Sequence, residues 1–99
     1  MSKRYTFSAA LWLYPGETAN WHFVTLPKAV AADIKASVGT KTRGFGSVPL
    51  TVTVGKTTWN TSIFPDKISK SYFLPVKAAV RKFEDLEVGE TARYTLKLL

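Results

Sequence analysis

The sequence predicts a mostly β domain, a six-stranded barrel with two short helices. Three observations support this prediction. Several segments alternate apolar and polar residues, or are short and rich in β-branched and aromatic residues, which is typical of strands. Two segments repeat apolar residues every three or four positions, which is typical of helices. The order strand, strand, helix, strand occurs twice along the chain, which favours a barrel with an internal duplication.

The first elements follow directly from this patterning. Residues 4–14 alternate and predict the first strand, and a Pro-Gly turn followed by an aromatic, β-branched segment predicts a hairpin. A helix is predicted from Pro27, because proline at the first helical position fixes φ without losing a hydrogen bond. Val30 and Ile34 continue it at four-residue spacing, and Gly39 ends it.

The rest of the chain repeats this order. Alternation over residues 47–54 predicts a strand, and Pro49 places part of it at a sheet edge or a bulge. A further strand is predicted over residues 57–64, and a short apolar one follows it. Pro75 is predicted to begin the second helix, with Phe83 in its buried stripe. The C-terminal residues alternate again and predict the last strand.

The duplication also has a local signature. A Leu-Pro pair precedes each predicted helix, at Leu26 and at Leu74, an offset of 48 residues. Neither half has enough apolar surface to be stable alone, so the two halves must share one core. We therefore expect a single domain over residues 1–99, made of similar halves at about 1–54 and 55–99.

The composition excludes several kinds of chemistry. The 99 residues carry 14 Lys and Arg against 7 Asp and Glu, a formal net charge of +7, and 45% of them are hydrophobic, which is typical of a globular domain. Without cysteine, and with His22 as its single histidine, the chain cannot form disulfides, thiolate metal sites or multi-histidine zinc sites. The lone Gly-x-Gly of RGFG has no helix after it, and no recognised catalytic spacing is present. We expect a non-enzymatic protein with no cofactor and no metal.

The sequence also bears on location and partners. No apolar run approaches the ~20 residues needed to cross a bilayer, and the first residues lack the apolar core of an export signal. We expect a cytoplasmic protein that does not associate with membranes and is a monomer or a weak homodimer.

The strongest candidate for a binding site is basic. Lys77 and Arg81 lie four residues apart in the predicted second helix, on one flank of it. The two like charges repel each other, and an anion that bridges them removes this repulsion; the arginine fork and the lysine point charge both suit a carboxylate or a phosphate. We expect the N-terminal amides of the helix, near Val76 and Lys77, to add to this preference. With hydroxyl groups of nearby strands and one more arginine, the predicted ligand-binding residues are Arg43, Thr61, Ser62, Tyr72, Lys77 and Arg81.

Four other interpretations stay open. The basic pair can be a solvated helix flank with no ligand. The chain can be a protein interaction domain that works beside a fused partner, or a small enzyme. It can also bind single-stranded nucleic acid, as small barrels that combine cations with stacking rings do. The candidate rings for that function are Trp12, Tyr14, Trp21, Phe45 and Trp59.

The segment RGFGSVPLTVTVGKTTWNTSIFPDKISKSYFLPVK resembles a bacterial family catalogued as domain of unknown function 1905. WHFVTLP and LPVKAAVRK are similar to segments of the same family, so the resemblance covers nearly the whole chain. It implies a double-split β-barrel, a fold shared with DNA-binding domains of the AbrB and MazE type, in which two similar halves interlock. It implies no activity. The positions that match the family are Trp21, Arg43, Trp59, Thr61, Ser62, Phe64, Pro65, Tyr72, Pro75, Lys77 and Arg81.

Overall fold

The computed structural model describes residues 3–14, 21–42 and 44–99, with the backbone alone for Phe45. The described residues form seven strands, two helices and a short 3₁₀ turn at Gly44–Gly46. The strands are β1 Arg4–Ala10, β2 Trp12–Tyr14, β3 Trp21–Thr25, β4 Val48–Val54, β5 Thr57–Asp66, β6 Ser71–Pro75 and β7 Thr91–Leu98. The helices are α1 Lys28–Val38 and α2 Ala78–Phe83.

The strands form one antiparallel sheet in the order β1-β7-β4-β5-β6-β3-β2, curled into a half-barrel. The predicted mostly β fold with two short helices is therefore confirmed. The predicted pairing of the first two strand segments is also found, as the pairing of β2 with β3. The Pro-Gly turn predicted between them lies outside the described residues.

The predicted number of six strands is not confirmed, because the segment 4–14 forms two strands instead of one. β1 pairs with β7 as far as Ala10, and β2 pairs with β3 from Trp12 onwards. Between them, Leu11 donates its amide to the carbonyl of Glu90 (3.0 Å) and accepts a hydrogen bond from the amide of Gly89 (2.8 Å). The chain thus passes from one edge of the sheet to the other at Leu11. The period of two continues through this residue, so the sequence pattern does not reveal the change of partner.

The first predicted helix is confirmed. Pro27 is its N-cap, α1 begins at Lys28, and Gly39 is its C-cap with a φ of 55°. Ile34 and Ala31 are its buried residues, which attach it to the core.

The predicted start of the second helix is wrong. Pro75 is the last residue of β6, paired with Phe23 of β3, and α2 begins three positions later at Ala78. Proline is tolerated there because the β5–β6 ladder ends at Phe73, so a strand amide at position 75 would have no partner on β5. The short helix buries only Val80, and Phe83 is 72% exposed instead of buried.

The core lies between the curled sheet and the two helices. Its fully buried side chains include Val24, Leu50, Ile63, Leu74 and Leu96, which come from five different strands. Complete burial of one such aliphatic side chain contributes about 1.5–3 kcal/mol, so this cluster dominates the stability of the domain. Pro49 pairs with β5 only, since the β4–β7 ladder starts at Leu50, which agrees with its predicted place beside an open edge.

Candidate functional site

An opening in the sheet lies beside α2. β5 pairs with β4 from Thr57 to Ile63, but it pairs with β6 only from Phe64 onwards. The first part of β5 therefore has an open side, and this side faces the end of β6 and the start of α2. A pocket of about 350 Å³ fills the opening. It is lined by Trp21, His22, Trp59, Asn60, Thr61, Pro75, Val76, Lys77, Ala78 and Arg81.

Arg81 is the most constrained cation of the pocket. Its Nε donates to the backbone carbonyl of Val76 at 3.0 Å, and its Nη1 lies 3.3 Å from Nε2 of His22. The side chain is half-buried, so these two contacts fix the plane of the guanidinium. A guanidinium has five N–H donors. Among the described residues these two contacts engage two of its nitrogens, which leaves donors for a ligand.

Lys77 is exposed and lines the same pocket. It is the N-cap of α2 and makes no side-chain capping bond, so its ammonium group is not held by the helix start. None of the described residues that line the pocket is an Asp or a Glu. The described lining of the pocket is therefore cationic and has no carboxylate.

The structure brings three of the six predicted ligand-binding residues together. Thr61 lines the pocket with Lys77 and Arg81. Ser62 does not line it, and pairs with Pro49 of β4. Tyr72 is buried on the far side of β6, in a separate cavity beside α1, and burial raises the pKa of its hydroxyl. Arg43 lies outside the described residues.

The predicted contribution of helix amides is wrong for Val76. Its N–H donates to the carbonyl of His22 at 2.9 Å and is not available to a ligand. The amides of Val80 and Arg81 are engaged as well, because both donate to the carbonyl of Lys77.

The residues that sequence reasoning missed are His22 and Trp21 as pocket walls. They lie on β3, 59 and 60 positions from Arg81 in the chain, and the pairing of β3 with β6 carries them to α2. No local pattern connects either residue with Arg81.

A second concave surface, the aromatic groove, adjoins the pocket. Its volume is about 1050 Å³. Neighbouring rings pack across β2, β3, β6 and β5, from Trp12 against Phe23 (5.1 Å between centroids) to Phe23 against Phe73 (4.7 Å) and Phe73 against Phe64 (6.0 Å). The groove is lined by Trp12, Tyr14, Trp21, Phe23, Thr61, Phe64, Pro65, Asp66, Ile68, Phe73 and Pro75.

The rings predicted as stacking platforms divide into three groups. Trp12, Tyr14 and Trp21 line the aromatic groove. Trp59 is 9% exposed and forms the inner wall of the cationic pocket. The side chain of Phe45 lies outside the described part of the molecule.

The described ranges contain no group of three or more side chains suited to hold a metal ion. Neither described helix has the length and hydropathy needed to cross a membrane.

Comparison with known proteins gives a family but no activity. No curated protein matches the chain. The model of one family, described as "Domain of unknown function (DUF1905)", matches residues 7–96, which include the sheet from the middle of β1 to Leu96 in β7 and all the described residues that line the pocket. The chain belongs to this family.

Proposed function

We propose that this protein is a non-enzymatic binding module for a ligand that carries a carboxylate or a phosphate, bound by Lys77 and Arg81. The observation that supports the proposal most is the composition of the pocket: two cationic side chains line it, and among the described residues no acidic one does. Buried or half-buried charges are normally paired, because desolvation of an unpaired charge costs free energy. An anionic ligand would supply the missing partner.

A comparison of the two halves of the chain supports a role outside folding. Leu26 donates to the carbonyl of Tyr72, and Val76 donates to the carbonyl of His22, so the two bonds correspond at an offset of 50 residues. The next backbone bond corresponds as well, since Ala31 donates to the carbonyl of Pro27 and Arg81 donates to that of Lys77.

In these corresponding bonds, Lys77 of the second half is equivalent to Pro27 of the first half, and Arg81 is equivalent to Ala31. Both halves build the same strand-to-helix junction, so the junction itself does not require the two cations. Ala31 is buried against the core, whereas Arg81 faces the pocket. The difference supports selection of Lys77 and Arg81 for binding.

The experiment titrates sodium acetate and inorganic phosphate into the ¹⁵N-labelled protein and follows backbone and arginine side-chain resonances. We expect shifts confined to the pocket walls, and we expect Lys77→Ala and Arg81→Ala each to reduce the affinity about tenfold, as for the loss of one charge-assisted hydrogen bond. Arg81→Lys keeps the charge but loses the planar fork, and we expect it to recover only part of the affinity.

Lys82→Ala is the matched control, because Lys82 is an exposed cation of the same helix that does not line the pocket. If Lys82→Ala reduced the anion affinity as much as Lys77→Ala or Arg81→Ala does, the net charge of +7 would be the cause of binding, and the proposal would be contradicted. An unchanged response in the Lys77 and Arg81 double variant would also contradict it.

We also propose the finer architecture of a six-stranded double-split barrel of the AbrB and MazE type, with two duplicated halves. If β1 and β2 are counted as one strand interrupted at Leu11, the sheet has six strands. In the second half of the chain β5 corresponds to this interrupted strand, because β5 also changes its partner along its length, from β4 to β6. The two helix junctions correspond at an offset of 50 residues, which supports the duplication. The two Leu-Pro pairs are 48 residues apart and are therefore not at equivalent positions, because Pro27 corresponds to Lys77 and not to Pro75. With both halves in one chain, this architecture needs no partner subunit, so we propose a bacterial, cytoplasmic protein that is a monomer or a weak homodimer.

A further inference from the structure

We infer that the aromatic groove and the cationic pocket form one site, and that its ligand is a small molecule with a flat aromatic body and one anionic group at its end. The inference rests on the proposed function, because the anionic group would be held by Lys77 and Arg81. It adds the chemical class of the rest of the ligand.

The two concave surfaces are continuous. Trp21, Thr61 and Pro75 line both the groove and the pocket. A molecule that lies along the groove past Trp21 therefore reaches the cations without leaving the protein surface. The combined site offers ring faces at one side and charge at the other.

The aromatic side chains expose more apolar surface than the fold needs. Trp21 is 57% exposed and Tyr14 is 54% exposed, although both belong to strands of the sheet. Rings lower in the groove are held in place by their neighbours, such as Trp12, which donates its indole N–H to the hydroxyl of Thr25 at 2.9 Å. Exposed rings on a fixed base form a preorganised stacking surface, which lowers the entropy cost of binding.

The charge distribution selects a small anion over a nucleic acid. Among the described residues that line the groove there is no Lys and no Arg, and the one charged side chain is Asp66. A single strand needs cations along the whole path of its phosphates. Among the described lining residues of the two surfaces, the cations lie in the pocket, beyond Trp21, so one anionic end group matches the surface and a chain of phosphates does not.

The test measures the affinity of five probes by NMR and tryptophan fluorescence. The probes are 2-naphthoate, 2-naphthyl phosphate, the uncharged 2-naphthalenemethanol, acetate and inorganic phosphate. We expect 2-naphthoate to bind about tenfold more tightly than acetate, or 2-naphthyl phosphate to bind about tenfold more tightly than inorganic phosphate, because stacking and charge contribute together. The same naphthyl anion should also bind about tenfold more tightly than the uncharged alcohol. The first two probes distinguish a carboxylate ligand from a phosphate ligand.

Variants separate the two parts of the site. Tyr14→Ala alters the groove only, so it should lower the affinity for the naphthyl anion about fivefold and leave the affinities for acetate and phosphate unchanged. Phe64→Leu is the second groove variant, in case Tyr14→Ala does not fold, because Phe64 lines the groove and not the pocket. Phe83→Ala removes an exposed ring of α2 outside the groove and the pocket, and should change no affinity.

Each contrary result has a distinct meaning. If acetate or phosphate binds at Lys77 and Arg81 but no naphthyl anion binds more tightly, the inference is overturned and the proposed function stands. If the Lys77 and Arg81 double variant responds to every anion as the native protein does, the proposed function fails and the inference with it. Equal affinity for the uncharged alcohol overturns the inference, because the groove would then be a general apolar surface. Tighter binding of a thymidine decamer than of 2-naphthyl phosphate, with a steep salt dependence, overturns it in favour of nucleic acid.

Discussion

Tyr94 is the residue at which packing and hydrogen bonding conflict. Its ring is fully buried and stacks on Phe7, with 6.0 Å between the centroids. Its hydroxyl has no hydrogen-bond partner among the described residues. Desolvation of an unpaired hydroxyl costs about 1–3 kcal/mol, so this side chain stabilises the core through its ring and destabilises it through its oxygen.

Tyr94→Phe is therefore expected to stabilise the protein by about 0.5–1 kcal/mol, because it removes the unpaired hydroxyl and keeps the ring. Urea unfolding at neutral pH, followed by circular dichroism, measures the difference. Tyr94→Leu, which also loses the aromatic packing, serves as the control and should destabilise. A loss of 1 kcal/mol or more in Tyr94→Phe would show that the hydroxyl has a partner, and would contradict this account.

At the scale of elements, the turn between β4 and β5 is tied to the end of α2. The carboxylate of Glu84 accepts hydrogen bonds from the hydroxyl of Thr57 (2.6 Å) and from the amide of Lys56 (3.2 Å). Gly55 has a φ of 57°, and a Cβ at this position would clash with the Glu84 carboxylate. The turn thus needs glycine both for its backbone conformation and for the close approach of Glu84.

Gly55→Ala is expected to destabilise the domain by about 2–4 kcal/mol, from the positive φ and from displacement of Glu84. In the background of Glu84→Ala, the same substitution should cost about 1–2 kcal/mol less, because only the backbone strain is left. A double-mutant cycle of thermal or urea unfolding measures this coupling. An equal cost of Gly55→Ala in both backgrounds would mean that Glu84 does not crowd the turn.

Most elements could be predicted from the sequence because their burial follows a simple period. β4 alternates buried and half-buried residues along its whole length, and α1 is delimited by Pro27 and Gly39. The start of α2 could not be predicted in this way. A proline fits the first turn of a helix and the last residue of a strand equally well, and only the pairing of Pro75 with Phe23 decides between them.

The candidate site was also predictable only in part, because some of its residues meet through strand pairing and not through local spacing. Lys77 and Arg81 are close in sequence, and their spacing is enough to place them together. His22 is separated from Arg81 by 59 positions and joins it through the register of two strands, which is long-range information. Ser62 was expected beside its strand neighbour Thr61, but of these two residues Thr61 alone lines the pocket.

At the scale of the whole molecule, tyrosine ionisation limits the stability at high pH. Burial raises the pKa of Tyr72 and of Tyr94 above the ordinary value of 10.0, and burial followed by the hydrogen bond to Asp33 raises that of Tyr5. A raised pKa means that the folded state keeps a proton that the unfolded chain loses. The stabilisation from these protons is complete below pH 10 and is lost as the pH rises through the higher folded values.

We therefore expect the free energy of unfolding to fall above about pH 10, with each of these tyrosines contributing a slope of at most about 1.4 kcal/mol per pH unit. Lysine titration also changes the net charge in this range, so the informative quantity is the difference between the native protein and Tyr94→Phe. Urea unfolding at intervals from pH 8 to pH 11.5 measures both. The stability advantage of Tyr94→Phe should be constant below pH 10 and should widen above it, because the variant has one fewer proton to lose on unfolding. A constant difference over the whole range would mean that Tyr94 ionises equally in both states, and that its burial in the core does not limit the alkaline stability of the domain.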